Sequence, residues 1–321
     1  MLTAVQTAVL RALSPTGARA RLTIFTYHRV LAVPDPLLAE EPDARVFDAQ
    51  VGWLATYCNI LPLPEAAARL EAGTLPERAA AITFDDGYAN NVDVALPILQ
   101  RHGVTASIFI AVDAVRRGIM WNDLVIEALR RAPEEIDLTP SGLGRVKLTS
   151  DLDRARLVGS LLDRLKYVPL DERFDRARAL YEHVARAAAP RLMLTDEGVR
   201  RAARAGMDIG AHTVNHPILA KLDADTARQE IEVSRHLVTE MTGIVPKSFA
   251  YPNGRPGRDY GPEHVAMVRA CGFEVAVSTA YGCADRRSAR FELPRLPLNE
   301  RTQASCWSRV FKTYVASYRM A

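Results

Sequence analysis

The stretch AAITFDDGY, residues 80–88, decides how the chain is interpreted. Its apolar and β-branched half predicts a buried strand, and two adjacent carboxylates and a glycine turn follow directly. Parallel α/β folds keep their active sites at the carboxyl ends of their strands. Because consecutive residues that leave a strand point in different directions, one of Asp85 and Asp86 can bind a metal while the other faces a substrate. The competing interpretation is an Asp-rich helix N-terminus capped by Asp86.

Short apolar runs on both sides of this stretch alternate with helical spacing, which predicts a parallel α/β sheet or barrel. The further predicted strands are Leu22–His28, Thr105–Ala111, Met207–Ala211, Lys247–Tyr251 and Phe273–Ser278. The predicted helices lie at about Phe47–Tyr57, Asn91–His102, Asp225–Thr242 and Glu263–Ala270. Residues 122–195 break this rhythm and predict a helical insertion of two or three helices with no strand. We expect one domain over residues 1–321, with a helical arm over residues 1–20.

Composition narrows the class of protein. The chain has 321 residues, of which 48% are hydrophobic and 25% charged, and this excludes a disordered or fibrous protein. The net charge is only +3 and no long basic run is present, so nucleic-acid binding has no support. The four cysteines form no CxxC pair and are predicted to be reduced thiols.

The first twenty residues contain no unbroken apolar run of signal-peptide or membrane-spanning length, because Gln6, Arg11 and Pro15 interrupt it. A cytoplasmic protein is therefore expected. Two interpretations of the segment stay open, a helix packed on its own domain and a short amphipathic helix resting on the inner membrane face. The second depends on these apolar and basic residues: Val5, Val9, Leu10, Leu13, Arg11, Arg19 and Arg21.

Two more segments carry polar groups at predicted strand ends. His212 and His216 follow the strand-like residues 207–211, and two imidazoles four residues apart can face one metal. Together with one carboxylate they give the three-ligand, open arrangement of catalytic zinc. Pro217 disfavours a helix at His216, so the pair is placed on a loop. Residues 251–254, YPNG, form a turn that can present a free backbone N–H to an oxyanion, or a plain surface turn.

These segments, in this order, resemble the polysaccharide deacetylases of carbohydrate esterase family 4. The likeness rests on TFDDGY at 83–88, HTVNH at 212–216 and YPNG at 251–254. It implies an α/β fold, a deformed (β/α)7-type barrel, that removes the acetyl group from an N-acetylated amino sugar with a divalent metal. Zn²⁺ is expected, although Co²⁺, Ni²⁺, Mn²⁺ or Fe²⁺ would suit similar ligands.

The resemblance assigns roles to individual residues. It implies that Asp86, His212 and His216 hold the metal and that Asp85 is the general base. The Tyr251 backbone N–H would help to hold the oxyanion.

Two positions depart from the common pattern. Most family members carry the acid histidine near the C-terminus, whereas the last histidine here is His264. The Tyr27-His28 pair resembles the circularly permuted deacetylases that act on poly-N-acetylglucosamine, in which this histidine lies near the N-terminus, so His28 is predicted as the general acid. Ala250 replaces the arginine that orients the catalytic carboxylate in many members. Arg295 is predicted as its substitute, against the alternative of a surface ion pair.

Three further residues are predicted to contact the sugar: Tyr88, Trp121 and Asn253. Core packing for Tyr88 and anchoring of the insertion for Trp121 are the alternatives. Two other functions remain open, a deformylase or deacylase of a lipid-linked amino sugar and a non-catalytic glycan-binding protein. The expected partner in every case is a carbohydrate.

Overall fold

A computed structural model describes residues 2–139 and 142–315. The chain divides into two compact units. The first unit comprises residues 1–32, 41–116 and 194–321, and the second comprises residues 33–40 and 117–193.

The first unit is built on one parallel sheet. Its strands are β1 (Leu22–Tyr27), β2 (Asn59–Ile60), β3 (Ala79–Phe84), β4 (Ser107–Ile110), β7 (Asp208–Ala211), β8 (Ser248–Ala250), β9 (Val275–Val277) and β10 (Leu296–Pro297). The order is β10-β1-β3-β4-β7-β8-β9, and β2 pairs with β3. Strands β1, β3 and β4 are buried along their whole length, as expected for a parallel sheet covered on both faces.

The sheet curls into a deformed barrel. A parallel bridge joins Val277 of β9 to Leu293, and three residues later Leu296 of β10 pairs with Phe25 of β1. The short segment 293–297 therefore closes the ring. All of the carboxyl strand ends lie at one edge of the barrel, because every pair in this sheet is parallel.

Helices surround this sheet. They are α1 (Leu2–Leu13), α2 (Ala44–Tyr57), α3 (Leu63–Ala72), α4 (Leu96–Arg101), α5 (Val112–Arg117), α9 (Asp196–Arg204), α10 (Ala224–Thr242), α11 (Pro262–Ala270) and α12 (Gln303–Val315). A turn of π-helix, Asn91–Ala95, precedes α4. Local chemistry sets several helix starts, since Asp43, Thr195 and Asp223 each accept a hydrogen bond from a backbone N–H of the first turn.

The second unit contains α6 (Trp121–Arg131), β5 (Glu135–Asp137), β6 (Arg145–Lys147), α7 (Asp151–Leu165) and α8 (Leu170–Ala185). Its helices pack around a separate apolar cluster that includes Leu129, Leu161 and Tyr181. The antiparallel β5–β6 hairpin was not expected from the sequence. Its three-residue strands carry charged residues at exposed positions, so they lack the apolar run that marks a buried strand.

The sequence-based expectations for the barrel are confirmed. All six predicted strands and all four predicted helices are present, with ends shifted by one to three residues. The four cysteines are free thiols. Helix α1 packs on its own unit through Leu10, which is fully buried. Among the helices of the described residues, none is long and apolar enough to cross a membrane.

Candidate active site

The turn after β3 separates the two adjacent carboxylates. Asp85 continues the strand pairing, because its N–H donates to the Tyr27 carbonyl at 2.9 Å. Asp86 then adopts a left-handed conformation with φ of 73°, and Gly87 follows at 87°. The reversal sends the two side chains in different directions, as the sequence predicted. Asp86 does not cap a helix, since the next helical turn begins only at Asn91.

Asp86 lies beside the two histidines that follow β7. Its Oδ1 is 3.6 Å from His212 Nε2 and 3.5 Å from His216 Nε2. One donor atom from each of the three residues lies within 4.8 Å of the other two. Ligands at the bond lengths of tetrahedral zinc are separated by about 3.3 Å, so these spacings suit one shared cation. The loop placement predicted for the pair is confirmed.

The hydrogen bond of His212 defines which of its ring nitrogens is free. Nδ1 lies 2.7 Å from the Ala250 carbonyl oxygen, which can only accept, so Nδ1 carries the proton. Burial lowers the pKa of His212 to about 4, and the ring is therefore neutral at pH 7. Nε2 consequently presents a lone pair toward Asp86. A histidine that donates its second nitrogen to a carbonyl is the arrangement found at metal ligands.

Backbone strain is concentrated at this cluster. Asp86, Thr213 and His216 all have positive φ, at 73°, 63° and 53°. Non-glycine residues adopt such angles at a cost of order 1–3 kcal/mol each, and persist in them where the surrounding structure holds them. Three of the six such residues in the described part of the chain thus lie in this cluster.

Glu230 on α10 holds the histidine loop, and sequence analysis did not identify it. Its buried carboxylate accepts hydrogen bonds from the backbone N–H groups of Val214 and Asn215, both at 2.9 Å. It also accepts one from Asn215 Nδ2 at 2.6 Å. No local signal marks Glu230, because a lone glutamate within an amphipathic helix is ordinarily a surface residue.

Arg295 forms a bidentate ion pair with Asp85. Nη1 lies 2.6 Å from Oδ1 and Nη2 lies 2.8 Å from Oδ2. Arg295 is only 2% exposed, which excludes the alternative of a surface ion pair. Desolvation would raise the pKa of Asp85, but the charge and hydrogen bonds of Arg295 hold it well below its ordinary value. Asp85 is therefore an oriented, ionised carboxylate.

His28 follows the carboxyl end of β1, at the same edge of the barrel. Its side chain is exposed, in line with a residue open to a substrate. Desolvation by the surrounding atoms lowers the pKa of His28, but the charges of Asp86, Asp85 and Glu41 raise it by more, and the net shift is upward. Glu41 is a second residue that sequence analysis missed. It also accepts a hydrogen bond from the Arg29 N–H at 3.2 Å.

The sequence predicted that the Tyr251 backbone N–H would be a free donor, but in the structure it is hydrogen-bonded. It donates to the Val277 carbonyl at 3.3 Å, because β8 and β9 continue their pairing one residue beyond the strand. This hydrogen bond is long, and the N–H can donate to an oxyanion only if the hydrogen bond to Val277 breaks. The Tyr251 ring is buried and stacks on Tyr260 with 3.8 Å between ring centroids.

The predicted sugar contacts have different outcomes. Tyr88 is 2% exposed and the Arg29 guanidinium lies 4.8 Å from its ring centroid, so the ring is covered and packs in the core. The structure supports core packing, the alternative for Tyr88, and its sugar contact stays a prediction. Trp121 lies in the second unit, where Arg173 covers its ring at 4.9 Å. Asn253 lies in the turn after β8 with φ of 60°, and its sugar contact stays a prediction.

The residues present fit a divalent cation. One carboxylate and two imidazoles are donors that catalytic zinc and related metals prefer, and three protein ligands leave further positions open. The free lone pair of His212 and the close approach of the three donor atoms satisfy this requirement.

Comparison with known proteins agrees with this geometry. YxkH of Bacillus subtilis (strain 168) carries the name polysaccharide deacetylase. Its sequence is 22% identical to this one, over 95% of this chain and 79% of the YxkH chain. Streptococcus pyogenes deacetylase PplD, solved in complex with acetate, superposes with a TM-score of 0.61 at 17% identity, over 92% of this chain and 98% of PplD. IcaB from Ammonifex degensii gives a TM-score of 0.59 at 18% identity, over 94% and 99% of the two chains.

The similarity to named deacetylases, together with a family profile, makes this chain a carbohydrate deacetylase, a hydrolase of carbon–nitrogen bonds other than peptide bonds. The profile of the family described as polysaccharide deacetylase matches residues 72–141 and 171–276, more than half of the chain. The chain belongs to the polysaccharide deacetylase family.

Proposed function

We propose that this protein hydrolyses the N-acetyl amide of an amino sugar in a glycan or glycan precursor. Asp86, His212 and His216 would hold a divalent cation, for which the donor set favours Zn²⁺. The observation that carries the proposal is the convergence of these three donors beside Asp85, whose carboxylate Arg295 fixes with two hydrogen bonds.

Asp85 is ionised and oriented, as a carboxylate must be before it can accept a proton. Its low pKa keeps it ionised, and the bidentate contact fixes its plane. When bound, a divalent cation supplies Lewis-acid polarisation of the amide carbonyl and lowers the pKa of a coordinated water. Asp85 takes the proton from the attacking water as the C–O bond forms. Arg295 is a positioning residue here, because it acts through Asp85.

His28 is proposed as the general acid that protonates the departing amine. Its raised pKa keeps a larger fraction of the imidazole protonated near neutral pH. The C–N bond then breaks, acetate forms, and the free amine stays on the sugar. His28 follows the carboxyl end of β1, and the cation cluster does not use it.

The direct test is acetate release by the Zn²⁺-loaded protein from nucleotide sugars, N-acetylglucosamine oligomers and lipid-linked amino sugars. Asp85→Asn and His28→Ala should each lower the rate by about 10²–10⁴-fold while metal content stays that of the parent. The matched controls are Asp225→Asn and His236→Ala, both exposed on α10, and these should keep the parental rate. Full activity in Asp85→Asn with metal bound would disprove the assigned base.

The same experiment decides the two alternatives from the sequence. Release of formate or a longer acid in place of acetate would identify a different deacylase. No release from any substrate by a metal-loaded protein that still binds glycan would indicate a binding function. The Arg295–Asp85 contact supports the catalytic function, because it orients an ionised carboxylate beside the three candidate cation ligands.

A further inference from the structure

Helix α1 attaches to the first unit through one face. Leu10 is fully buried, and the Gln6 side chain accepts a hydrogen bond from the Tyr57 hydroxyl at 3.1 Å. Trp307 Nε1 of α12 donates to the Gln6 carbonyl at 3.4 Å. The polar Gln6 thus lies on the inner side of the helix beside the buried Leu10.

The opposite face of α1 is apolar and exposed. It is formed by residues at helical spacing: Ala4, Val5, Ala8, Val9 and Ala12. Val5 is 60% exposed and Val9 is 36% exposed. Single exposed apolar residues are ordinary, but a continuous apolar face over three turns of helix marks a contact surface.

This face leads into a cavity rich in arginine. The cavity measures about 470 Å³ and is lined by Ala12 and Leu13 of α1, by Arg19 and Arg21, and by Arg286 and Arg287. Asp285 is the only acidic residue in its lining and is paired with Arg287 at 2.9 Å. Within the described chain, the guanidinium groups of Arg19 and Arg286 form no hydrogen bond or ion pair. The cavity therefore carries an excess of positive charge.

We propose that the α1 face and this cavity form a docking surface for an anionic phospholipid bilayer. The valines would enter the boundary between headgroups and acyl chains, and the guanidinium groups would bind lipid phosphate oxygens. Charge favours this partner over a second copy of the chain. A symmetric dimer through the same surface would place arginines near arginines. The proposal does not depend on the deacetylase chemistry.

The arginine cavity lies at the amino end of the barrel strands, opposite the edge that carries the catalytic residues. Arg21 directly precedes Leu22, the first residue of β1, and Ala284 pairs with Leu22 just before Asp285. Asp85 and Asp86 follow the carboxyl end of β3, which runs parallel to β1. A six-residue strand spans about 20 Å, so the arginine cavity and the catalytic edge are separated by about the length of β1.

The test is flotation of the full-length protein with vesicles of phosphatidylcholine, with and without phosphatidylglycerol. We expect binding only to the anionic vesicles, weakened by high salt. Arg19→Gln with Arg286→Gln should lower the partition coefficient by about fivefold per arginine. Val5→Ser with Val9→Ser should abolish the salt-resistant part of the binding. These residues are exposed, so both variants should keep the parental melting temperature and acetate release from a water-soluble substrate.

Matched controls use exposed residues elsewhere. Val233→Ser with Ile244→Ser removes equivalent apolar groups, and Arg145→Gln with Arg178→Gln removes equivalent charges. Both should bind like the parent. Equal binding to neutral and anionic vesicles, or no binding to either, would overturn the proposal. The proposal would also be overturned if Val5→Ser with Val9→Ser changed the oligomeric state but left vesicle binding unaltered. The apolar face would then be the contact surface for a second copy of the chain.

Discussion

Arg295 and Asp85 are 210 residues apart in the chain and meet in a buried bidentate ion pair with contacts of 2.6 and 2.8 Å. Arg295 Nε also donates to the Ser278 carbonyl at 3.2 Å, and Nη1 lies 3.2 Å from Thr83 Oγ1. The guanidinium thus contacts three residues, Asp85, Ser278 and Thr83. Asp85 has one available orientation as a result.

Arg295→Lys should test this restraint. Lysine keeps the positive charge but cannot form two parallel hydrogen bonds, so we expect kcat to fall by at least about tenfold with KM little changed. Arg295→Gln should be worse, because it leaves Asp85 buried without its partner and costs about 3–5 kcal/mol of stability. Its loss of positive charge also raises the pKa of Asp85, so the acid limb of the pH–rate profile should move to higher pH. An unchanged acid limb in Arg295→Gln would show that Asp85 is not the titrating base.

Glu41→Gln should shift the alkaline limb of the same profile. Because the negative charge of Glu41 raises the pKa of His28, its removal lowers that pKa. His28 then loses its proton at lower pH. The alkaline limb of the pH–rate profile therefore moves to lower pH, while the acid limb stays in place. Glu40→Gln is the neighbouring control and should leave both limbs unmoved. A downward shift of equal size in the control would contradict a specific effect of Glu41.

Glu230→Gln should weaken metal binding without removing a ligand. Glutamine has one acceptor oxygen where the carboxylate has two, so at least one of the three hydrogen bonds to residues 214–215 is lost. We expect Zn²⁺ affinity to fall by about 10–100-fold, measured by competition with a chromophoric chelator. Glu232→Gln, exposed on the same helix, should keep the parental affinity. A fall in activity of the fully metal-loaded variant with unchanged affinity would assign Glu230 a different role.

Asp208 should limit stability near neutral pH. Desolvation raises its pKa, although Ser248 Oγ donates to Oδ2 at 2.7 Å. A carboxyl whose pKa is higher in the folded state stabilises at low pH, and this contribution is lost as the pH rises through the folded value. Asp208→Asn keeps an acceptor for Ser248 and cannot ionise. It should therefore unfold at higher urea concentration than the parent at pH 7, and the difference should shrink toward pH 4.

Local sequence was sufficient for the motifs and for most of the barrel. The stretch from Ala80 to Tyr88 contains a strand, a turn and two carboxylates within nine residues, and hydrophobic spacing marks each of the other five predicted strands. Strands β2 and β10 were missed because two residues carry no periodic signal.

Long-range contacts could not be predicted in the same way. Nothing near Glu41 or Glu230 distinguishes these residues from surface glutamates, and their importance arises from what the fold brings beside them. The pairing of Arg295 with Asp85 was anticipated only by resemblance to a family. The covered ring of Tyr88 and the engaged N–H of Tyr251 show the same limit, since exposure and hydrogen bonding depend on neighbours distant in sequence.

The segment that closes the barrel is also the segment that carries Arg295. Residues 293–297 join β9 to β1, and they follow β1 to β9 in the chain. A nascent chain that has already formed β1 to β9 still has Asp85 without its partner, and its ring of strands is open. Closure of the barrel and orientation of the proposed base therefore depend on the same five residues, and any change that displaces this segment would disturb both.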